Sequence, residues 1–186
     1  MRGKSVRTMH SKQYAMNNIE FRAPWAKSLK ISTILGALIT LALVIFVAIF
    51  IPRMTDTIRI GVASVPLLIL VLAASGMVRG YTITQDEIVI KRLARPIKLS
   101  LSTLQAVEGH ADAINDSLPL FANKGFCVYW GWYWNRSLGM LRVYATDPSR
   151  AVVLRYPHRR IVITPHDPQQ FIMRARTLVN TQAHRV

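Results

Sequence analysis

Five histidines and one cysteine are the side chains of this 186-residue chain best suited to metal binding or nucleophilic attack, and their spacing supports neither. His10, His110, His158, His166 and His184 are scattered, with no HExxH pair, no second cysteine and no carboxylate cluster beside them. His110-x-Asp112 comes nearest to a ligand motif, but two ligands alone fix no metal, and the stretch from His110 to Lys124 reads as a solvated loop. Cys127 stands in an apolar strand beside Val128 and Tyr129, where an inert buried thiol is expected. A single cysteine also excludes a disulfide framework and a multi-cysteine zinc site. Nucleophile-elbow, P-loop and GxGxxG patterns are absent from the sequence. No catalytic, cofactor-binding or metal residue is therefore assigned, no cofactor is expected, and the chain does not read as an enzyme.

Aromatic density is the strongest local signal. Tyr129, Trp130, Trp132, Tyr133 and Trp134 form one run, and strand alternation puts the three Trp on one face and the two Tyr, flanking Gly131, on the other. Packing into a core is the stronger reading of this strand. The functional reading rests on the preference of Trp and Tyr for boundaries between water and apolar matter. It makes Trp130, Trp132 and Trp134 candidates for contact with a partner or with lipid headgroups.

Charge and hydropathy then divide the chain. Lys and Arg number 24 against 9 Asp and Glu, a net charge of +15, while 51% of the residues are apolar. That apolar share excludes a disordered polycation. Residues 1–30 form a basic arm (Arg2, Lys4, Arg7, Lys12, Arg22, Lys27, Lys30) with Glu20 as its one acid and no sustained periodicity. Residues 31–51 carry no charge and would span about 31 Å as a helix, the thickness of a bilayer's hydrocarbon core. Their Leu, Ile, Val and Phe content favours insertion by roughly 4 to 8 kcal/mol. A second uncharged run, residues 60–78, contains Gly61 and Pro66 and predicts a kinked span. Residues 52–59 join the two, so the spans return as an antiparallel hairpin, and Ser32, Gly36 and Thr40 form a small-residue stripe on the first.

Positive charge sits on the side of both termini, which predicts cytoplasmic termini and an external 52–59 loop. Lys27, Lys30 and Arg79 flank the spans and, with Trp25, are candidates for the membrane interface, where each cation gains about 1 kcal/mol from an anionic leaflet. A bilayer with anionic headgroups is therefore one expected partner. Nucleic acid is not, because no recognition motif is present and the cations are spread along the chain.

Residues 79–186 suit one small domain with β grammar. Strands are predicted at 80–84, 88–93, 96–109, 126–134, 139–146, 151–156 and 160–164, separated by turn residues such as Gln85-Asp86-Glu87, Asn135-Arg136-Ser137 and Asp147-Pro148-Ser149. A closing helix begins at His166-Asp167-Pro168-Gln169-Gln170, with Asp167 as cap and Pro168 at the first helical position. Phe171, Ile172, Ala175, Leu178 and Val179 give that helix one apolar face. The fold class expected is α+β with a membrane anchor: a two-helix transmembrane hairpin, then a seven-stranded antiparallel sandwich or barrel capped by a C-terminal helix.

Three stretches resemble the bacterial membrane-anchored pleckstrin-homology (PH) proteins: Gly80-Tyr-Thr-Ile-Thr with the strand after it, FCVYWGWYWNRSLGMLRVYATD (126–147), and Ile161-Val-Ile-Thr-Pro-His-Asp-Pro-Gln-Gln-Phe. The resemblance covers roughly residues 79–180 and the hairpin that precedes them. It implies a non-catalytic binding or scaffolding protein of the bacterial inner membrane that engages a lipid surface or an unidentified protein partner, with a homo-oligomer compatible. It brings no ligand residues. Eukaryotic relatives often bind phosphoinositides through cations in the first hairpin loop, whereas this loop is Gln85-Asp86-Glu87. The alternative function is an accessory subunit of a membrane enzyme or transporter. The absence of ionisable residues from both apolar runs speaks against an ion path through this chain alone.

Overall fold

The computed structural model describes residues 18–50 and 55–183. They form strand β1 (Ile19–Arg22), helix α1 (Lys27–Phe50), helix α2 (Asp56–Ser75), strands β2 (Val78–Ile83), β3 (Glu87–Arg92), β4 (Ile97–Ser100), β5 (Ala106–Gly109), β6 (Ser117–Phe126), β7 (Val128–Asn135), β8 (Gly139–Ala145), β9 (Val152–Tyr156) and β10 (Arg159–Ile163), and helix α3 (Pro168–Ala183). The chain is α+β: an apolar helix near the N-terminus, a β-sheet domain and a C-terminal helix.

Two sheets make the domain, one in the order β1-β2-β3-β4 and the other in the order β5-β9-β10-β8-β7-β6. Their facing sides enclose the larger core, built from Tyr81, Ile83, Ile88, Ile90 and Leu99 on one sheet and Val128, Tyr144, Leu154, Ile161 and Ile163 on the other. Helix α3 adds Phe171 and Ala175 to this core, and Asp167 caps it by accepting from the Gln170 amide at 2.9 Å. Tyr81 ties the sheets together. Its hydroxyl donates to the Tyr144 carbonyl at 2.9 Å and accepts from the Thr164 amide at 3.1 Å, and burial pushes its pKa up to about 12. A second core on the far side of the six-stranded sheet holds Tyr133, Leu141, Val143, Val153 and Val162 under Ala113 and Ile114.

The strand count departs from the seven expected: ten strands are described, and β8 and β10 run parallel rather than antiparallel. Three causes are visible. The 96–109 run breaks because Leu101 and Leu104 both bury their side chains, closing a turn with a 3.1 Å bond from the Leu104 amide to the Leu101 carbonyl. The stretch read as a solvated loop, His110 to Lys124, instead buries Ala113 and Ile114 and then enters β6, which pairs with β7. The arm supplies β1, because Phe21 finds a buried place against Phe171, 5.1 Å between ring centroids.

β1 is bound to the domain at several points. It pairs antiparallel with β2, and Glu20 meets Lys91 at 2.5 Å. The Arg22 carbonyl accepts from the His166 amide at 2.9 Å, and the Pro24 carbonyl from the Thr146 hydroxyl at 2.7 Å. Gly80 makes the close approach feasible, since a Cβ there would lie 2.8 Å from the Phe21 carbonyl oxygen. The other arm cations, Arg2 to Lys12, fall outside the described residues, as do residue 51 of the first apolar run, residues 52–54 of the expected external loop, and His10 and His184.

Both helices begin before their uncharged runs, and α2 ends before its own. α1 starts at Lys27 and buries Leu29 in its first turn, while α2 already includes residues 56–59 and stops at Ser75, so that Gly76 and Met77 lead into β2 and Val78 belongs to that strand. Thr33 and Thr40 donate to carbonyls of their own helix, Leu29 at 2.7 Å and Gly36 at 2.8 Å. The two helices pack on each other, but Ile34, Leu38, Leu41, Leu68 and Leu72 remain exposed.

Candidate functional site: an uncovered aromatic sheet face

The register of β6, β7 and β8 sets side chains in cross-strand rows. Leu118 pairs with Trp134 and Trp134 with Met140; Phe121 pairs with Trp132 and Trp132 with Arg142; Asn123 pairs with Trp130 and Trp130 with Tyr144. Period-two alternation places all three rows on the side of the sheet that faces the larger core. Tyr144 is buried in that core and Trp130 packs at its margin. Beyond them the four-stranded sheet no longer covers this face. Trp132 is 40% exposed, Trp134 44%, Met140 49%, Leu118 62% and Phe121 76%. Side chains so exposed leave much of their apolar surface in water, and a contiguous group of them marks an interaction surface.

Local backbone features create the face. Gly131 has φ 133°, and a Cβ there would come within 2.4 Å of the Phe121 carbonyl oxygen, so only glycine lets β6 lie this close to β7. A register irregularity between Pro119 and Phe121 re-aims the edge strand. Cys127 turns the chain from β6 to β7 with φ 64°, an uncommon conformation for a residue with a side chain. Its amide donates to the Thr33 hydroxyl of α1 at 3.0 Å, and burial pushes its thiol pKa up. Cys127 is thus a turn residue rather than a strand residue, with an unreactive thiol.

The electrostatics of the face are one-sided. The Arg142 guanidinium lies 5.1 Å from the Trp130 ring, 4.8 Å from Trp132 and 5.6 Å from Tyr144, and its Nε donates to the Tyr144 hydroxyl at 3.0 Å. Arg92, reaching from β3 of the other sheet, lies 5.8 Å from the same Tyr144 ring. No ion pair joins either guanidinium to a carboxylate among the described residues. The face begins where the helices meet the domain: a Cβ on Gly76, just past α2, would lie 3.6 Å from Val128 and 4.0 Å from Trp130.

The structure separates the sequence candidates into two groups. Trp25, half-buried, and Lys27 and Lys30, exposed, surround the start of α1, and Arg79 is exposed at the start of β2. Trp130, Trp132 and Trp134 share the sheet face, and it is Tyr133 that fills the core, buried with its pKa raised to about 12. Core packing therefore holds for Val128, Tyr129, Tyr133 and the partly covered Trp130 but not for Trp132 and Trp134, because the opposing sheet ends short of Trp132. His110 is half-buried after β5 with Asp112 exposed beyond it, and among the described residues no three His, Cys, Asp or Glu side chains converge. Sequence reading missed Leu118, Phe121, Met140, Arg142 and Arg92. The alternation of Met140, Arg142 and Tyr144 along β8 was the available signal for two of them.

Two packed sheets with a helix closing one end, and an aromatic face without acids at the other, define a small β-domain fitted for binding. The sequence model of the bacterial PH domain matches residues 79–179, over half of the chain, and the chain belongs to that family. PH domains are typically non-catalytic binding modules. No curated protein and no solved structure matches the chain.

Proposed function

We propose that this chain is a non-catalytic binding or scaffolding module held on the bacterial inner membrane by α1 and α2, which cross as a hairpin, with the PH domain and both termini in the cytoplasm. In this reading the anchor is Lys27–Ser75, and the domain comprises residues 18–26 together with 78–183. The observation that carries it is the pairing of β1 with β2 across two helices whose apolar side chains lie uncovered. Exposed Ile and Leu along α1 and α2 are costly in water and favourable in acyl chains. β1 precedes α1 and β2 follows α2, and hydrogen-bonded strands lie on one side of a bilayer. The intervening chain therefore crosses an even number of times, which favours two spans over one. Lys27, Lys30, Arg79, Lys91, Arg92 and Arg95 gather at the domain end, supporting a cytoplasmic domain. Neither uncharged run carries an ionisable residue, which favours an anchor over an ion path.

Alkaline carbonate washing of membranes containing the full chain, followed by flotation, tests the anchor. The chain is expected to stay with the floating lipid. Release as a detergent-free monomer overturns the proposal.

A further inference from the structure

We infer that the uncovered face of β6, β7 and β8 docks on the anionic headgroup layer of the same membrane that the helices enter, with Arg142 and Arg92 meeting lipid phosphates and Trp132, Trp134 and Phe121 entering the layer beside them. The inference rests on the anchored reading above and adds to it the occupant of the face. Three observations select lipid. The first is charge: Arg142 and Arg92 have no carboxylate partner among the described residues, and the chain carries +15 overall, so an anionic surface is attracted while a second copy is repelled. The second is composition. Trp, Tyr and Arg joined to an apolar fringe (Leu118, Phe121, Met140) suit a boundary that is apolar on one side and ionic on the other.

The third is continuity. The face starts at the feet of both helices: the Cys127 amide holds Thr33 of α1, and Val128 and Trp130 abut Gly76 at the end of α2. An apolar surface contiguous with a membrane anchor is brought to the bilayer at the high effective concentration that tethering provides, so weak individual contacts suffice. The β2–β3 turn, the loop with which eukaryotic relatives grip phosphoinositides, takes no part. It carries Asp86 and Glu87, and the docking surface lies on the other sheet apart from Arg92, which stands at the opposite end of β3 from that turn.

The chain has four Trp, so Trp25→Phe with Trp130→Phe leaves Trp132 and Trp134 as the emitters. This full-length variant, reconstituted in nanodiscs of anionic phosphatidylglycerol with brominated acyl chains, is expected to lose most of its emission relative to discs of the unbrominated lipid. Arg92→Gln with Arg142→Gln is expected to lower that quenching to the level found in zwitterionic discs. Emission quenched by aqueous iodide but untouched by bromolipid overturns the inference, as does crosslinking between copies through Phe121→Cys in its place. If the Trp variant fails to fold, an environment-sensitive dye on Phe121→Cys in a Cys127→Ser background gives the same test: a blue shift in anionic discs supports lipid contact, and no shift overturns it. A chain that does not enter discs at all refutes the anchor. One that enters, with both Trp in water, refutes only the docking.

Discussion

The two ends of the β-sandwich share an apolar lining and differ in what closes it. At one end α3 lays Phe171 and Ala175 over the core, and β1 adds Phe21 edge-on to the Phe171 ring, 67° between planes. At the other, Trp132, Trp134, Leu118 and Phe121 continue the same sheet face and stay exposed among the described residues. One lining thus serves stability where it is capped and remains available for binding where it is not. Substitutions at the closed end should unfold the chain, whereas those at the open end should spare folding and alter only what the chain touches.

The largest effect is expected at the closed end. Phe171→Ala removes a fully buried ring and should cost about 3–5 kcal/mol in denaturant unfolding of the full chain in detergent. A loss below about 1 kcal/mol would mean that α3 does not close the core. Next comes the tie between the sheets. Tyr81→Phe leaves the buried Thr164 amide and Tyr144 carbonyl without the hydroxyl and should cost about 1–3 kcal/mol by the same measurement.

Alkaline titration probes the same interior. Tyr81, Tyr133 and Tyr156 have pKa values pushed up to about 12, chiefly by burial, against 10.0 in the unfolded chain. Folding therefore holds their protons more tightly. The stability they contribute is complete below pH 10.0 and is lost as pH rises toward about 12, at up to about 1.4 kcal/mol per pH unit for each Tyr. Tyr81→Phe should flatten this slope; an unchanged slope would place Tyr81 in water. The smallest effect belongs to the open end, where Phe121→Ala should shift the unfolding free energy by no more than about 0.5 kcal/mol. A loss equal to that of Phe171→Ala would show that the face is core after all.

What the sequence reveals depends on how local the deciding interaction is. The apolar helices, the β2–β3 hairpin and the α3 cap are each decided within a few residues, and all were legible. β1 was not, because its four residues are placed by β2, which lies beyond both helices in the chain. β6 was hidden by Pro119 and two register irregularities that break its alternation. The parallel pairing of β8 with β10 is a long-range choice made by the sheet as a whole. In the candidate face, alternation correctly grouped Trp130, Trp132 and Trp134, but their exposure is set by where the opposing sheet ends, a property of no single segment.

The central claim is that α1 and α2 carry the chain out and back, leaving β1 and the PH domain on one side. Single cysteines placed by Glu20→Cys, Lys98→Cys and Thr57→Cys in a Cys127→Ser background, exposed to a membrane-impermeant maleimide on intact spheroplasts, read this directly. Labelling is expected at position 57 alone until the cells are lysed. Labelling that puts positions 20 and 98 on opposite sides, or all three on one, would contradict that claim.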